Sequence, residues 1–180
     1  MRRFVGVALL PLALAACNGD DGDSGPPRPS EAKCQGDTVM DVYSTDDGGV
    51  VHVDHPAYKG PLGNPPKYTV EPPTGGDHLS PSVGPGIYQG QNVPPDGVLV
   101  HSLEHGYVIL WFRDATVLDV VREAAEEHPR DTIVVERPSL SVPVAATAWG
   151  HRLLCDPADA PALADFVETR RNKAPEKIPH

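Results

Sequence analysis

The sequence predicts an α+β fold: a single domain with one mainly antiparallel sheet, two helices and a long ordered Pro/Gly-rich loop. Three observations predict it. Short β-prone runs recur along the chain, and the one from Tyr107 to Phe112 is apolar throughout. Two other stretches repeat their apolar residues at helical spacing. Between residues 56 and 97, proline and glycine pairs such as Pro65-Pro66, Gly75-Gly76 and Pro94-Pro95 leave no room for a long helix. The interspersed Tyr58, Tyr68, Leu79, Val83, Ile87 and Tyr88 favour an ordered loop packed on the domain.

The elements follow in chain order. Arg2 and Arg3 precede an apolar run from Phe4 to Ala16, broken by Gly6 and Pro11, which is the layout of a secretory signal occupying residues 1–16. Its thirteen apolar-run residues are fewer than the roughly 20 a spanning helix needs. The run ends in Leu14-Ala15-Ala16-Cys17, which resembles the bacterial lipobox, so Cys17 is the expected lipidation site. The expected location is therefore an exported protein, lipid-anchored to a bacterial membrane and facing the periplasm or the exterior. Residues 17–33 are Asp, Gly, Pro and Ser with little that is apolar, a lipidated disordered spacer. The folded domain is expected over 34–171 and a flexible tail over 172–180.

Within the domain, Val39 to Tyr43 and Val50 to Val53 flank Asp46-Asp47-Gly48-Gly49 and suggest a hairpin. Val98 to Val100 and Tyr107 to Phe112 are expected strands. The first helix lies between Asp114 and His128, with Val117, Leu118, Val120, Val121, Ala124 and Ala125 at helical spacing and Pro129 as its stop. Thr132 to Val135, Val142 to Trp149 and Arg152 to Leu154 are further strands. Asp156-Pro157 offers an N-cap and a first-turn proline for the second helix, which buries Leu163, Phe166 and Val167.

Of the three cysteines, the lipid takes Cys17, leaving Cys34 and Cys155 for one disulfide in an oxidising envelope. Removing residues 1–16 takes two of the 15 basic residues and none of the 25 acidic ones, leaving a formal charge of −12. That charge excludes nucleic acid as a partner and electrostatic adhesion to anionic lipid. The expected partners are the membrane, through the lipid, and another envelope protein. No glycine-rich phosphate loop precedes a helix, so no nucleotide cofactor is expected. Ser102 lacks a nucleophile-elbow context.

The densest chemistry is His101-Ser102-Leu103-Glu104-His105-Gly106. Neutral imidazoles and a carboxylate are ready ligands for copper or zinc. On a helix the two histidines would stand about 6 Å apart on one face; on a strand they would be about 13 Å apart, too far for one ion. H-x-x-E-H is also the inverzincin peptidase pattern, which would make Glu104 a general base on metal-bound water, but β-prone flanks and Gly106 argue against the long helix that enzyme needs. Structural histidines, hydrogen-bonded between loop and sheet, are the competing reading of the same residues. His52 and His55 either extend the site or stand as exposed loop histidines. Trp111 and Trp149 read as core aromatics, and Arg170, Arg171, Lys173 and Lys177 as a solvated tail.

Pro72-Pro73-Thr74-Gly75-Gly76-Asp77-His78, Gly86-Ile87-Tyr88, Val100-His101-Ser102-Leu103-Glu104-His105-Gly106 and Ala148-Trp149-Gly150 together resemble the bacterial family called domain of unknown function 3105. The resemblance spans about residues 50 to 170, and V-H-x-L-E-H-G is its most specific part. Where the family commonly has Ser-Gly-Pro-His, this chain has Gly75-Gly76-Asp77-His78, keeping the histidine in a different loop. The resemblance implies a three-histidine site of His78, His101 and His105, with Glu104 as a fourth ligand or as an acceptor orienting an imidazole.

Overall fold

The computed structural model describes residues 33–38 and 67–176. The signal segment, Cys17, the spacer, the hairpin expected over 39–53, His52 and His55 lie outside those residues. Six strands, β1 (Lys33–Thr38), β2 (Gly86–Tyr88), β3 (Val108–Phe112), β4 (Thr132–Glu136), β5 (Val144–Ala148) and β6 (His151–Asp156), form one sheet in the order β1-β6-β5-β3-β4-β2. Three helices accompany it: α1 (Asp96–Glu104), α2 (Leu118–Ala125) and α3 (Ala160–Arg170).

The domain is α+β, as expected, but its sheet is mixed. The β1–β6, β6–β5 and β5–β3 ladders are antiparallel, whereas β3–β4 and β4–β2 are parallel. Parallel neighbours need crossovers, and the helices supply them: α1 joins β2 to β3, and α2 joins β3 to β4. The two crossovers run in opposite directions along the sheet, so two connections of one hand must use opposite faces.

The packing shows this division. On β3, alternate side chains point to opposite faces. Val108, Leu110 and Phe112 meet Val121 and Ala124 of α2 and Leu163, Phe166 and Val167 of α3. Ile109 and Trp111 meet Leu99 and Leu103 of α1. All five residues of β3 are buried, as a central strand covered on both faces should be. Cys34 pairs with Cys155 in register on β1 and β6, and the two are disulfide-bonded across 121 residues.

Two expectations change. Val98 to Val100, expected as a strand, belongs to α1, making three helices rather than two. Every residue of α1 from Gly97 to Glu104 is buried, so the helix has no solvent-facing side and no apolar periodicity to read. Gly106, which looked like an interruption of the pattern, is the stop signal of that helix. It has φ 95°, with Gly106 N–H donating to Leu103 O at 3.0 Å and Tyr107 N–H to Ser102 O at 3.2 Å, the two bonds of a Schellman motif. The cap of α3 also moves. β6 runs through Asp156, and Asp159 accepts from Ala162 N–H at 3.0 Å with Pro161 in the first turn, because the Asp-then-Pro signal occurs twice within six residues. No helix among the described residues is long and apolar enough to cross a membrane.

Candidate metal centre

Three segments converge on the α1 side of the sheet. The first is Pro72–His78, buried at every residue. It is pinned by Gly150 N–H donating to Thr74 O at 2.8 Å, by Tyr68 Oη–H donating to Asp77 O at 2.6 Å, and by Leu79 N–H donating to Gly97 O at 3.1 Å. Gly97 permits that approach, since a Cβ there would stand 2.8 Å from Leu79 Cγ. The second segment is α1 itself. Ser102 anchors the chain beyond His78 by donating to Val83 O at 2.8 Å and accepting from Val83 N–H at 3.0 Å. Ser102 thus fastens that chain to α1.

The third segment follows α3. Asn172 N–H donates to Gly106 O at 2.9 Å and Glu176 N–H to Glu104 O at 3.2 Å, so residues 172–176 return to the C-terminus of α1 where composition suggested fraying. Arg170 and Arg171 are engaged as well: Arg171 bonds Glu168 at 3.0 Å and Asp131 at 3.2 Å, and Arg170 lies 3.3 Å from the His151 ring.

On α1, Gly97, His101 and Glu104 fall at i, i+4 and i+7, one stripe facing the Pro72–His78 segment. His78 is fully buried, His101 6 % exposed and Glu104 8 % exposed. The His78 Nδ1 lies 2.8 Å from Gly76 O, and its Nε2 lies 3.0 Å from Glu104 Oε2. The ring centroids of His78 and His101 are 4.9 Å apart, and those of His101 and His105 are 4.4 Å apart. Trp149 packs on the α1-side core and sets its ring edge-on against His78, with centroids 6.1 Å apart, so it walls the site as well as filling core. Trp111 is buried core, its Nε1–H donating to Thr147 Oγ1 at 2.8 Å.

All four residues singled out in the sequence are therefore neighbours, yet they fall into two ligand groups that share His101. His78, His101 and Glu104 form a buried group, and His101, His105 and Glu176 form a more open one. Within each group the donor atoms lie within 4.8 Å of one another. Glu176, whose carboxylate lies 3.2 Å from His105 Nε2, is the residue the sequence did not offer. It sits in a lysine- and proline-rich stretch that carries no signal of return.

The fold and this cluster define a class: a single-sheet α+β domain with an imidazole–carboxylate centre able to hold a metal ion. The chain belongs to the family described as protein of unknown function (DUF3105), whose family model matches residues 62–179. No curated protein and no solved structure matches the chain.

Proposed function

We propose that this chain is an exported, lipid-anchored protein of the cell envelope that binds a copper or zinc ion through His78, His101 and Glu104, with His105 alongside. The observation that carries the reading is the hydrogen-bond direction at His78. A carbonyl oxygen can only accept, so the 2.8 Å bond to Gly76 O places the ring proton on Nδ1. In the neutral ring Nε2 then presents a lone pair to the Glu104 carboxylate 3.0 Å away, inside a site where His78 has no solvent exposure. Two acceptors at that distance repel each other unless a positive charge lies between them. A metal ion supplies it: ligands bonded to tetrahedral zinc at about 2.0–2.1 Å lie about 3.3 Å apart. Donation of the other ring N–H to a backbone carbonyl is the usual support of a metal-bound histidine.

A proton is the other candidate for that position, and the 3.0 Å separation is also the length of an imidazolium–carboxylate hydrogen bond. In that reading the histidines are structural and the domain is an interaction module. Metal content decides between them. Full-length protein purified without chelator should carry close to one equivalent of copper or zinc, lost on His101→Ala/His105→Ala and sharply weakened by Glu104→Gln. Well-folded wild-type protein that neither retains nor takes up either metal would leave the ion pair. Export and anchoring are supported by the signal segment, by Cys17 in its lipobox-like context, and by a disulfide of the kind oxidising compartments preserve. Cys17→Ser should move the protein out of the membrane fraction, and unchanged partitioning would remove the anchor.

A further inference from the structure

We propose that His101, His105 and Glu176 form an outer loading position through which a single ion reaches the buried His78–His101–Glu104 position. The inference rests on the metal-binding reading above and assigns it a route. Burial calls for a route, because the His78 side chain is fully buried and that of Glu104 only 10 % exposed, leaving an ion arriving from solvent little direct access to them. The outer group faces the other way: the His105 side chain is 15 % exposed and that of Glu176 48 %. His101 belongs to both groups, so an ion held outside already touches one inner ligand. Passage inward is then ligand exchange, with His105 and Glu176 released as His78 and Glu104 engage.

Occupation is sequential. Two divalent ions sharing His101 would sit a few ångströms apart, with the two carboxylates of Glu104 and Glu176 in these groups supplying half the charge needed to offset theirs. The outer carboxylate is tied mechanically to the inner one, since Glu176 N–H donates to Glu104 O at 3.2 Å and Asn172 N–H to Gly106 O at 2.9 Å. The returning segment thus positions a negative charge at the solvent mouth of a buried site in a chain that is itself acidic.

Stopped-flow uptake of aqueous Zn²⁺ by the full chain, and its release to an excess of a chromophoric chelator, test the route. With Glu176→Gln, uptake should slow about tenfold, the lower bound for losing a supporting carboxylate. Release should slow by a similar factor, because an ion that enters through the outer position must leave through it. His105→Gln should act in the same direction on both rates. Faster release from Glu176→Gln would make Glu176 a ligand of the resident ion, and unchanged uptake would remove it from the path; either result overturns the loading position while leaving metal binding intact. Two equivalents of bound zinc would overturn sequential occupation. Wild-type protein that takes up no zinc overturns the metal reading itself, a result that none of the others resembles.

Discussion

Replacing Gly106 by alanine tests whether one glycine holds the functional end of α1 in place, and Gly90→Ala provides a matched control. Both glycines have positive φ, 95° at Gly106 and 56° at Gly90. The second angle lies in the left-handed well that other residues enter at a cost of about 1–2 kcal/mol, partly offset by the smaller unfolded-state entropy of alanine. A Cβ at Gly90 meets nothing within 4 Å, so Gly90→Ala should cost about 1 kcal/mol. At Gly106 the angle is well outside that well, and a Cβ would stand 3.0 Å from the Asn172 Cα, which is backbone and cannot swing away. Relief by rotation would strain the Schellman bonds or the Asn172–Gly106 bond. The expected cost is about 3 kcal/mol, the upper end for a strained backbone position. At roughly 4 °C per kcal/mol for a domain of this size, the melting temperature should fall by about 12 °C for Gly106→Ala and about 4 °C for Gly90→Ala. Thermal melts by circular dichroism, with urea titrations to check the slope, make the measurement. Equal losses in the two variants would refute the claim that the turn and its contact with Asn172 set the geometry.

Two further perturbations probe other parts of the fold. Breaking the Cys34–Cys155 bond, by reduction or by a double serine variant, frees a loop of 121 residues in the unfolded chain and should cost about 4–5 kcal/mol in urea titrations; a loss under about 2 kcal/mol would mean the bond does not constrain that ensemble. His151, whose Nδ1 lies 3.3 Å from Thr38 Oγ1 and Nε2 3.3 Å from Arg170, is held below the ordinary histidine value of 6.5 by burial first and by the Arg170 charge second. Below pH 6.5 the unfolded chain therefore takes up a proton that the folded chain resists, so stability should decline from there toward the lower folded value, and His151→Gln should flatten that decline. Urea midpoints between pH 7.5 and 5 that are parallel for wild type and variant would contradict this.

How far the sequence could be read depended on whether burial was one-sided. α2 faces the sheet with one side and solvent with the other, so its apolar spacing was plain. β3 to β6 lie close to their expected bounds because short apolar runs between turn residues have few other solutions. α1 defeated the same method, since a helix wedged between the sheet and the Pro72–His78 segment buries its whole circumference. With α1 hidden, and β2 lying inside the Pro/Gly-rich stretch, the β2–α1–β3 unit that makes the β4–β2 ladder parallel was hidden too, although the β3–α2–β4 order was legible. In the site, His101, Glu104 and His105 were visible from local spacing, and His78 only through a motif shared with a family. Glu176 could not be found, because its position is set by where α3 ends and by the backbone bonds of Asn172 and Glu176, not by any local pattern.

The polar stripe of α1 is costly in a way that bears on its purpose. Leu99 and Leu103 already fasten the helix to Ile109, Trp111 and Ile133, so adhesion to the sheet does not require His101 or Glu104. Burying a carboxylate and an imidazole costs several kcal/mol per charge, and apolar residues of similar volume commonly serve packing as well or better. A helix selected only to cover the sheet would therefore gain by carrying apolar residues at 101 and 104, opposite an apolar residue at 78. Instead, two segments distant in sequence, the Pro72–His78 stretch and α1, bring three titratable groups to one buried point. The Gly76 carbonyl orients the His78 ring so that its remaining nitrogen faces a carboxylate. That arrangement is stable with a cation or proton in the gap, and a buried convergence of imidazoles and a carboxylate is the donor set that suits a transition-metal ion.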